Sequence, residues 1–223
     1  KTPLLSSIFL YFNIIKLFFV SLVKKIVKSL IPFYSSYIRS LSSTIHNQSY
    51  LNYVRFRLTG KCSNWGGYYP AHPSCTIANS RKVYVGCNSS VARPGCYIQG
   101  AGTVRFGDYV RLGPNVGILS ANHNLYDQRI YNEAPIIIGD YSWIGMNSII
   151  TAGVTLGPRT IVAAGAVVTK SFPDGFCILA GVPAKVIKYL DKEKFEPWHY
   201  ENEYYGYIPK EKFESIRKKY LDI

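Results

Sequence analysis

Residues 138 to 173 read IGDYSW IGMNSI ITAGVT LGPRTI VAAGAV VTKSFP, which is six consecutive units of six residues. The first residue of every unit is a branched aliphatic one: Ile138, Ile144, Ile150, Leu156, Val162 and Val168. The second residue is small in every unit, and the fifth is mostly small until Phe172. A period of six matches neither an α-helix nor a simple alternating strand.

This period predicts short strands joined by tight corners, with a small residue needed after each inward aliphatic one. Three units of six then make one coil of a parallel β-helix, and each coil buries its aliphatic residues on the next. The expected stacked pairs are Ile138 with Leu156, Ile144 with Val162, and Ile150 with Val168. A β-sandwich would instead show irregular turns every 8 to 12 residues or so. We therefore predict an all-β core.

The repeat pauses once, between Ile118 and Ile138. Upstream units begin at Phe106 and Leu112, and weaker ones lie near Val85 and Val91. The pause spans 20 residues, which we interpret as three units plus two residues with a polar loop over 124–133. His123 stands where the loop begins.

Four stretches together resemble a known family: the hexads, SANHNLYD, IIIGDYSWIG and AAGAVVTKSFPDGFCILAGVPAKVIKYL. They are similar to the left-handed β-helix, or hexapeptide-repeat, acyltransferases, above all to the maltose and galactoside O-acetyltransferase branch, whose members also modify bacterial polysaccharides. The resemblance is specific over 106–190, general over 60–105 and absent elsewhere. It implies a left-handed parallel β-helix, acetyl-CoA as donor, a homotrimer, and active sites between neighbouring subunits.

The resemblance implies that His123 is the general base. A sugar hydroxyl is a poor nucleophile until its proton is removed, and imidazole accepts protons near neutral pH. The thioester carbonyl then becomes an oxyanion, which needs N–H donors. Without the resemblance, an ordinary solvated loop histidine is the better interpretation of His123.

Seven positions match donor-binding residues of that family: Trp143, Met146, Ala164, Thr169, Lys170, Lys185 and Lys188. The tryptophan matches one that lines the acetyl end of the coenzyme, and Ala164 matches a backbone contact to its pantetheine arm. Met146 replaces a serine that touches the coenzyme. The threonine–lysine pair matches the coenzyme's far end, and the last two lysines match basic residues near the 3′-phosphate. The alternatives are a structural aromatic residue and ordinary surface lysines.

The acceptor side departs from the sugar enzymes. Arg93 and Ala101 replace an asparagine and an aspartate that hold the sugar in the galactoside enzyme, which argues against galactose or maltose. An arginine there favours an anionic acceptor, such as a uronic acid, a nonulosonic acid or a phosphate-linked sugar. Tyr126, Asp127 and Arg129 are the loop residues expected to contact the acceptor, with plain solvation as the alternative.

The net charge of +13 lies entirely in the first half of the chain. Before Asp108 there are 13 Lys and Arg and no acidic residue, whereas from Asp108 onward 13 basic residues balance 13 acidic ones. Residues 4–31 are hydrophobic and carry lysines, which is typical of a helix lying in a bilayer interface. We expect residues 1–40 to contact an anionic membrane rather than nucleic acid. Packing on the protein's own core or on another subunit, or a membrane span over 4–23, stays open.

The cysteines and histidines argue against a metal site. The five cysteines have wide spacings and no C-x-x-C pair, so we expect reduced, mostly buried thiols of a cytoplasmic protein. No small-residue cleavage site follows the apolar run, so a signal peptide is not expected. His123 is the only histidine between 106 and 190, which disfavours a three-histidine metal centre.

The sequence thus predicts a hydrophobic and basic helical segment over 1–58, the β-helix over 59–183 and a helical cap over 184–223. Helices are expected at 184–194 and 209–222, with an aromatic segment between them. This segment caps the coil, packs on a neighbouring subunit or shapes an acceptor groove.

The predicted function is acetyl-CoA-dependent O-acetylation of a sugar hydroxyl in bacterial surface polysaccharide synthesis, at the inner face of the cytoplasmic membrane. An N-acetyltransferase of an amino sugar or nucleotide-sugar is the alternative within the same class. A non-catalytic, membrane-docked β-helix scaffold is the alternative from another class.

Overall fold

The computed structural model describes residues 15–23, 25–26, 55–56, 58–60 and 67–223, and the chain divides into two compact units, 1–43 and 44–223. In the first unit, residues 15–23 and 25–26 are helical. Leu17, Phe18 and Phe19 of this helix are 66–70% exposed. Among the described residues, no helix has the length and apolar character needed to cross a membrane. The rest of the predicted membrane-contacting segment lies outside the described residues.

The second unit is built almost wholly from short strands. Residues 55–56 and 58–59 are helical, a 3₁₀ turn covers Ser80–Lys82, and an α-helix over Lys210–Ile216 continues as a 3₁₀ turn over Arg217–Lys219. The strands are β1 (Thr76–Ala78), β2 (Val83–Val85), β3 (Tyr97–Gln99), β4 (Val104–Phe106), β5 (Arg111–Leu112), β6 (Gly117–Leu119), β7 (Ala121–His123), β8 (Tyr131–Glu133), β9 (Ile136–Ile138), β10 (Trp143–Ile144), β11 (Ile149–Ile150), β12 (Thr155–Leu156), β13 (Ile161–Val162), β14 (Val167–Val168), β15 (Cys177–Gly181), β16 (Ala184–Tyr189), β17 (Tyr204–Tyr205) and β18 (Ile208–Pro209).

Most of these strands stack in parallel as the three faces of a left-handed β-helix, as predicted. The first face has the order β1-β3-β6-β11-β14, and the third has the order β12-β9-β4-β2. The second face has the order β16-β15-β13-β10-β5, in which only β16 runs antiparallel. The chain visits the faces in turn, so strands that neighbour each other within a face lie one coil apart.

The predicted aliphatic stacking is confirmed. Ile138 pairs with Leu156, Ile144 with Val162, and Ile150 with Val168, and all six side chains are at most 1% exposed. The first face continues the same column upstream through Ile118, Ile98 and Ile77. Burial of these side chains is the main favourable contribution to the fold.

The corners explain the rest of the hexad pattern. The fourth residue of the first five units has a positive φ, not only where it is glycine but also at Tyr141 (56°), Asn147 (57°) and Arg159 (56°). This left-handed conformation turns the chain sharply and is costly for a residue with a Cβ. At the fifth position, Ser148 and Thr160 are fully buried, and their hydroxyls donate to the carbonyl oxygens of Gly145 and Gly157, three residues earlier in the same corner.

The small second residue is required because neighbouring corners touch through their backbones. A Cβ added to Gly139 would lie 2.6 Å from the backbone of Gly157 and Pro158. We expect Gly139→Ala to lower the free energy of unfolding by about 1–3 kcal/mol, the usual cost of overpacking a rigid interior. Chemical denaturation measures this change.

Gly117→Ala is the matched control for that substitution. A Cβ on Gly117 would meet only the Ile149 side chain, at an ordinary 3.5 Å. Its strand conformation suits alanine, so its stability should be unchanged or slightly higher. Equal effects at the two glycines would contradict the close packing of the corners.

The insertion within the pause of the repeat is longer than the sequence predicted. Ile138 and Leu156 are stacked partners 18 residues apart, whereas Phe106 and Ile138 are partners 32 residues apart, which is 14 more. The expected three units plus two residues is therefore wrong. The chain takes one step of six and inserts fourteen residues, which pair with themselves as the antiparallel hairpin of β7 and β8.

The C-terminal region is only partly helical. The helix expected over 184–194 is wrong, because 184–189 form β16, which pairs with β15 and covers the last strand of the second face. The helix at 210–216 lies within the other predicted helix, 209–222. The aromatic segment between them packs on the coil: the Tyr109 and Tyr141 rings stack at 4.9 Å, and the Trp198 ring meets Tyr109 at 4.9 Å.

The cysteines that the structure describes are structural. Cys75, Cys87, Cys96 and Cys177 are free and buried, as expected, and Cys62 lies outside the described residues. Burial raises the pKa of the Cys75 and Cys87 thiols to about 12. These thiols therefore stay protonated and unreactive in the folded protein.

Candidate active site

One cavity of about 510 Å³ opens along the corner where the chain passes from the second face to the first. It brings together four of the predicted site residues: Arg93, Trp143, Met146 and Ala164. The other lining residues are mostly small or aliphatic: Ser90, Arg111, Leu112, Gly113, Pro114, Gly145, Ile161, Val162 and Ala163. The cavity is thus a groove lined mainly by small and apolar residues, suited to an extended ligand.

The β-helix register fixes the order of residues along this groove. On the second face, outward positions form the column Ser90, Arg111, Trp143 and Ile161. Three residues further along each coil, the corner forms a second column of Arg93, Pro114, Met146 and Ala164. Both columns carry an arginine towards the N-terminal end of the coil and apolar residues towards its C-terminal end.

Two backbone amides in the corner column are available to a ligand. Within the part of the chain that the structure describes, the N–H groups of Met146 and Ala164 donate no hydrogen bond. An unpaired N–H in a concave site is a ready donor to a carbonyl oxygen or an oxyanion. Met146 therefore keeps a backbone donor where the family's serine would offer a side chain.

The other predicted donor residues lie outside this cavity. Thr169 and Lys170 are exposed just after β14, and Lys185 is exposed on β16. Lys188, also on β16, lines a separate cavity of about 430 Å³ together with Arg159, Phe176, Tyr189, Lys194 and Trp198. The four residues are thus close to the C-terminal end of the coil but do not form one pocket in the single chain.

His123 is the last residue of β7, on the exposed hairpin. Its Nδ1 lies 2.6 Å from the carbonyl oxygen of Gln128, and its ring lies 4.4 Å from the Tyr131 ring, centroid to centroid. A carbonyl oxygen only accepts hydrogen bonds, so this contact places the imidazole proton on Nδ1. The lone pair of the neutral ring is then on Nε2, which is the arrangement that a general base needs.

The tip of the hairpin is folded around its own polar side chains. Asn124 Oδ1 accepts hydrogen bonds from the N–H groups of Tyr126 and Asp127, and the Tyr126 side chain is 97% exposed. Arg129 donates two side-chain hydrogen bonds to the Asp127 carboxylate, each 2.9 Å long. These bonds lower the pKa of the Asp127 carboxyl, so the pair is intact at neutral pH.

The Asp127–Arg129 pair encloses Gln128, the residue that holds His123. For the acetyl transfer that the resemblance implies, with His123 as the base, we expect Arg129→Ala to lower the transfer rate roughly 10-fold, the size of effect that removal of a supporting contact around a functional histidine has. Because an exposed ion pair contributes little to stability, the melting temperature should barely change. Asp127→Asn combined with Arg129→Ala should be no slower than the single variant. Additive losses, or weaker acetyl-CoA binding, would show that the two residues act separately on a ligand.

Within one chain, His123 and the cavity lie at opposite edges of the first face. Gly113 and Pro114 of the cavity come just before β6, whereas His123 comes just after it. Among the described residues, the hairpin contributes none to the cavity lining. In the single chain, His123 and the groove therefore do not meet.

Three contacts at the candidate site were not predicted from the sequence: two made by Arg111 and one made by Gln128. Arg111 lines the groove, and it donates a hydrogen bond to the Tyr200 hydroxyl at 2.8 Å and lies over the Trp198 ring at 5.6 Å. Gln128 orients His123 through its backbone, which any residue would provide. Leu112 and Ile144 are both first residues of a hexad, and Arg111 and Trp143 directly precede them. Arg111 could therefore have been predicted from the repeat, because it occupies the same position as Trp143.

Comparisons with known proteins agree with this fold. The family model "Bacterial transferase hexapeptide (six repeats)" matches residues 135–170. Galactoside O-acetyltransferase of Escherichia coli is 37% identical over 97 residues, which are 41% of this chain and 47% of that protein. 2,3,4,5-Tetrahydropyridine-2,6-dicarboxylate N-acetyltransferase of Staphylococcus aureus is 53% identical over 55 residues, 25% of this chain and 23% of that protein.

A solved structure extends the likeness beyond the hexads. The hexapeptide-repeat acetyltransferase of Vibrio cholerae, complexed with acetyl coenzyme A, superposes with a TM-score of 0.52 at 25% identity. It covers 71% of this chain and 87% of that one. The chain spans about half the length of the E. coli relative that it matches. Over the coil, this protein is therefore similar in sequence and fold to the hexapeptide-repeat acetyltransferases, and its resemblance to the galactoside O-acetyltransferase branch is confirmed there.

Proposed function

We propose that this protein transfers an acetyl group from acetyl-CoA to a sugar hydroxyl, with His123 as the general base. The observation that carries the proposal is the 2.6 Å contact between His123 Nδ1 and the Gln128 carbonyl oxygen, from which we infer that the ring proton is on Nδ1 and that Nε2 is left to accept a proton. The groove beside Trp143, with the free N–H groups of Met146 and Ala164, supports a site for the donor's thioester and pantetheine arm.

The reaction follows from these groups. His123 Nε2 takes the proton of the acceptor hydroxyl while its oxygen attacks the thioester carbonyl carbon. A backbone N–H of the corner stabilises the resulting oxyanion. The carbon–sulfur bond then breaks, and the imidazolium returns the proton to the departing thiolate. The products are an acetyl ester and free coenzyme A.

The site is completed by a second copy of the chain in this proposal, since one copy keeps His123 away from its own groove. The hairpin tip supports this arrangement, because Leu125 and Tyr126 are 90% and 97% exposed and so offer apolar surface to a neighbour. A homotrimer with three such shared sites is the assembly that the resemblance implies.

Mixing two inactive variants tests the shared site. Proteins carrying His123→Ala and Ala164→Trp should each be inactive, and unfolding and refolding them together should restore part of the activity. Restoration is expected because some interfaces then pair an intact hairpin with an intact groove. No restoration in verified mixed oligomers would show that each chain works alone.

Acetyl transfer itself is tested by calorimetry and by thiol release. We expect acetyl-CoA to bind saturably and free thiol to appear only when a sugar acceptor is added. A protein that binds no acetyl-CoA would instead be the non-catalytic scaffold. Acceptors offered in hydroxyl and amine forms separate O-acetylation from N-acetylation, and surface polysaccharide precursors are the class to examine first.

A membrane location is also part of the proposal. The helical residues 15–23 and 25–26 expose Leu17, Phe18 and Phe19, and the chain before Asp108 carries only basic charge. Apolar side chains together with lysines favour an anionic bilayer interface. Flotation with phosphatidylglycerol vesicles should depend on residues 1–40 and weaken with salt. Unchanged flotation after their deletion would refute this location and favour packing within the protein.

A further inference from the structure

We propose that the N-terminal end of the groove recognises a negatively charged group on the acceptor, through Arg93 and Arg111. This inference rests on the proposed function and narrows its substrate to anionic sugars. Sequence alone offered Arg93 as a hint, whereas the structure adds a second arginine to the same cavity.

The two guanidinium groups are not neutralised by the protein. Within the described residues, neither Arg93 nor Arg111 forms a salt bridge, and no Asp or Glu lines the cavity. Both residues are partly buried. Partly buried cations that line a cavity without an acidic residue lose hydration and gain no counter-charge, so an anionic ligand is their natural counterpart.

Arg111 is also held in place. Its guanidinium donates to the Tyr200 hydroxyl and lies over the Trp198 ring, so the aromatic segment holds the side chain in place without neutralising its charge. An arginine with a neutral partner keeps donors for a carboxylate or phosphate, which it binds in a forked geometry. The aromatic segment thereby shapes the acceptor end of the groove.

The order of residues along the groove assigns this anion to the acceptor rather than to the coenzyme. Arg111 is the neighbour of Trp143 on the N-terminal side, whereas Ile161 is its neighbour on the C-terminal side. The proposed donor contacts of Met146 and Ala164, and the lysines beyond them, all lie in the C-terminal direction. The coenzyme phosphates therefore lie away from the arginines.

The test is calorimetric binding of three probes to the protein loaded with coenzyme A: glucuronate, glucose 1-phosphate and glucose. We expect at least one anion to bind more tightly than glucose. Arg93→Gln and Arg111→Gln should each weaken that anion on the order of 10- to 100-fold, the usual range for a charge-assisted contact. Glucose affinity should change little. Arg105→Gln is the matched control, because Arg105 lies over the Tyr84 ring on the third face.

Three results would overturn the inference: neither anion binds more tightly than glucose, the variants weaken all three probes equally, or the variants weaken coenzyme A instead. If the protein binds coenzyme A normally but gives one of the first two results, only the inference of an anionic acceptor is refuted, and the proposed acetyl transfer still stands. A protein that binds no acetyl-CoA at all would fail the proposed function itself. The two failures are therefore distinguishable.

Discussion

Replacing His123 by alanine is expected to lower the rate of acetyl transfer by about 10²- to 10⁴-fold, the usual contribution of a positioned general base. The imidazole is the group whose proton is fixed on Nδ1 by the Gln128 carbonyl, which leaves Nε2 to act. Acetyl-CoA affinity should be nearly unchanged, because the proposed donor contacts are made by Trp143, Met146 and Ala164 of the groove and not by the imidazole. Steady-state rates and calorimetry separate the two quantities.

His72→Ala is the control for this experiment. His72 lies near the start of the coil, contacts the Ser74 hydroxyl at 2.8 Å, and belongs neither to the hairpin nor to the residues that line the groove, although its backbone is one coil before Arg93. Its removal should lower the transfer rate far less than removal of His123 does. If His123→Ala transferred acetyl groups at the wild-type rate, His123 would not be the base, whatever rate the control variant showed.

Ala164→Trp is expected to abolish acetyl-CoA binding by filling the groove beside Trp143. The indole would occupy much of the 510 Å³ cavity and cover the free Met146 and Ala164 N–H groups. We expect affinity to fall roughly 100-fold or more, equivalent to about 3 kcal/mol of overpacking. Calorimetry with acetyl-CoA measures this directly.

Ala152→Trp is matched to Ala164→Trp because both are third residues of a hexad. Ala152 stands at a different corner and does not line the cavity. It should bind acetyl-CoA as the wild type does. Equal loss of binding in both variants would indicate a general effect on the coil, and normal binding by Ala164→Trp would place the donor elsewhere.

The coil was predictable because its aliphatic residues recur at one fixed spacing. Ile138, Ile144 and Ile150 stack as expected, since a regular period leaves only one way to bury all three on the next coil. The left-handed corners were not visible, because Tyr141, Asn147 and Arg159 share a conformation but no side-chain chemistry.

The hairpin was harder to predict because its pairing is internal to the insertion. Ala121–His123 and Tyr131–Glu133 lack the hexad spacing, so the sequence marked a loop but not its fourteen extra residues or its strands. Residues 184–189 were misjudged for a related reason. Their mixed polar and apolar pattern suits a helix in isolation, but the open edge of β15 supplies hydrogen-bond partners for a strand.

The candidate site was predictable where side chains carry the signal and not where contacts depend on the fold. Trp143 and Arg93 were found from the sequence and share one cavity. Arg111 gained its significance only when the register placed it beside Trp143. Tyr200, which accepts a hydrogen bond from Arg111, is 89 residues away in the chain, and no local pattern in the sequence around Arg111 indicates it. The contact between the two residues was therefore not predictable from the sequence.

The most direct test of the central claim is the chemical nature of the acetylated product. Purified protein is incubated with labelled acetyl-CoA and an anionic sugar, and the product is treated with alkaline hydroxylamine. Transfer to a hydroxyl predicts that label passes to the sugar in an ester that hydroxylamine removes, and that His123→Ala yields none. A hydroxylamine-resistant amide, or no transfer by protein that binds acetyl-CoA, would contradict it.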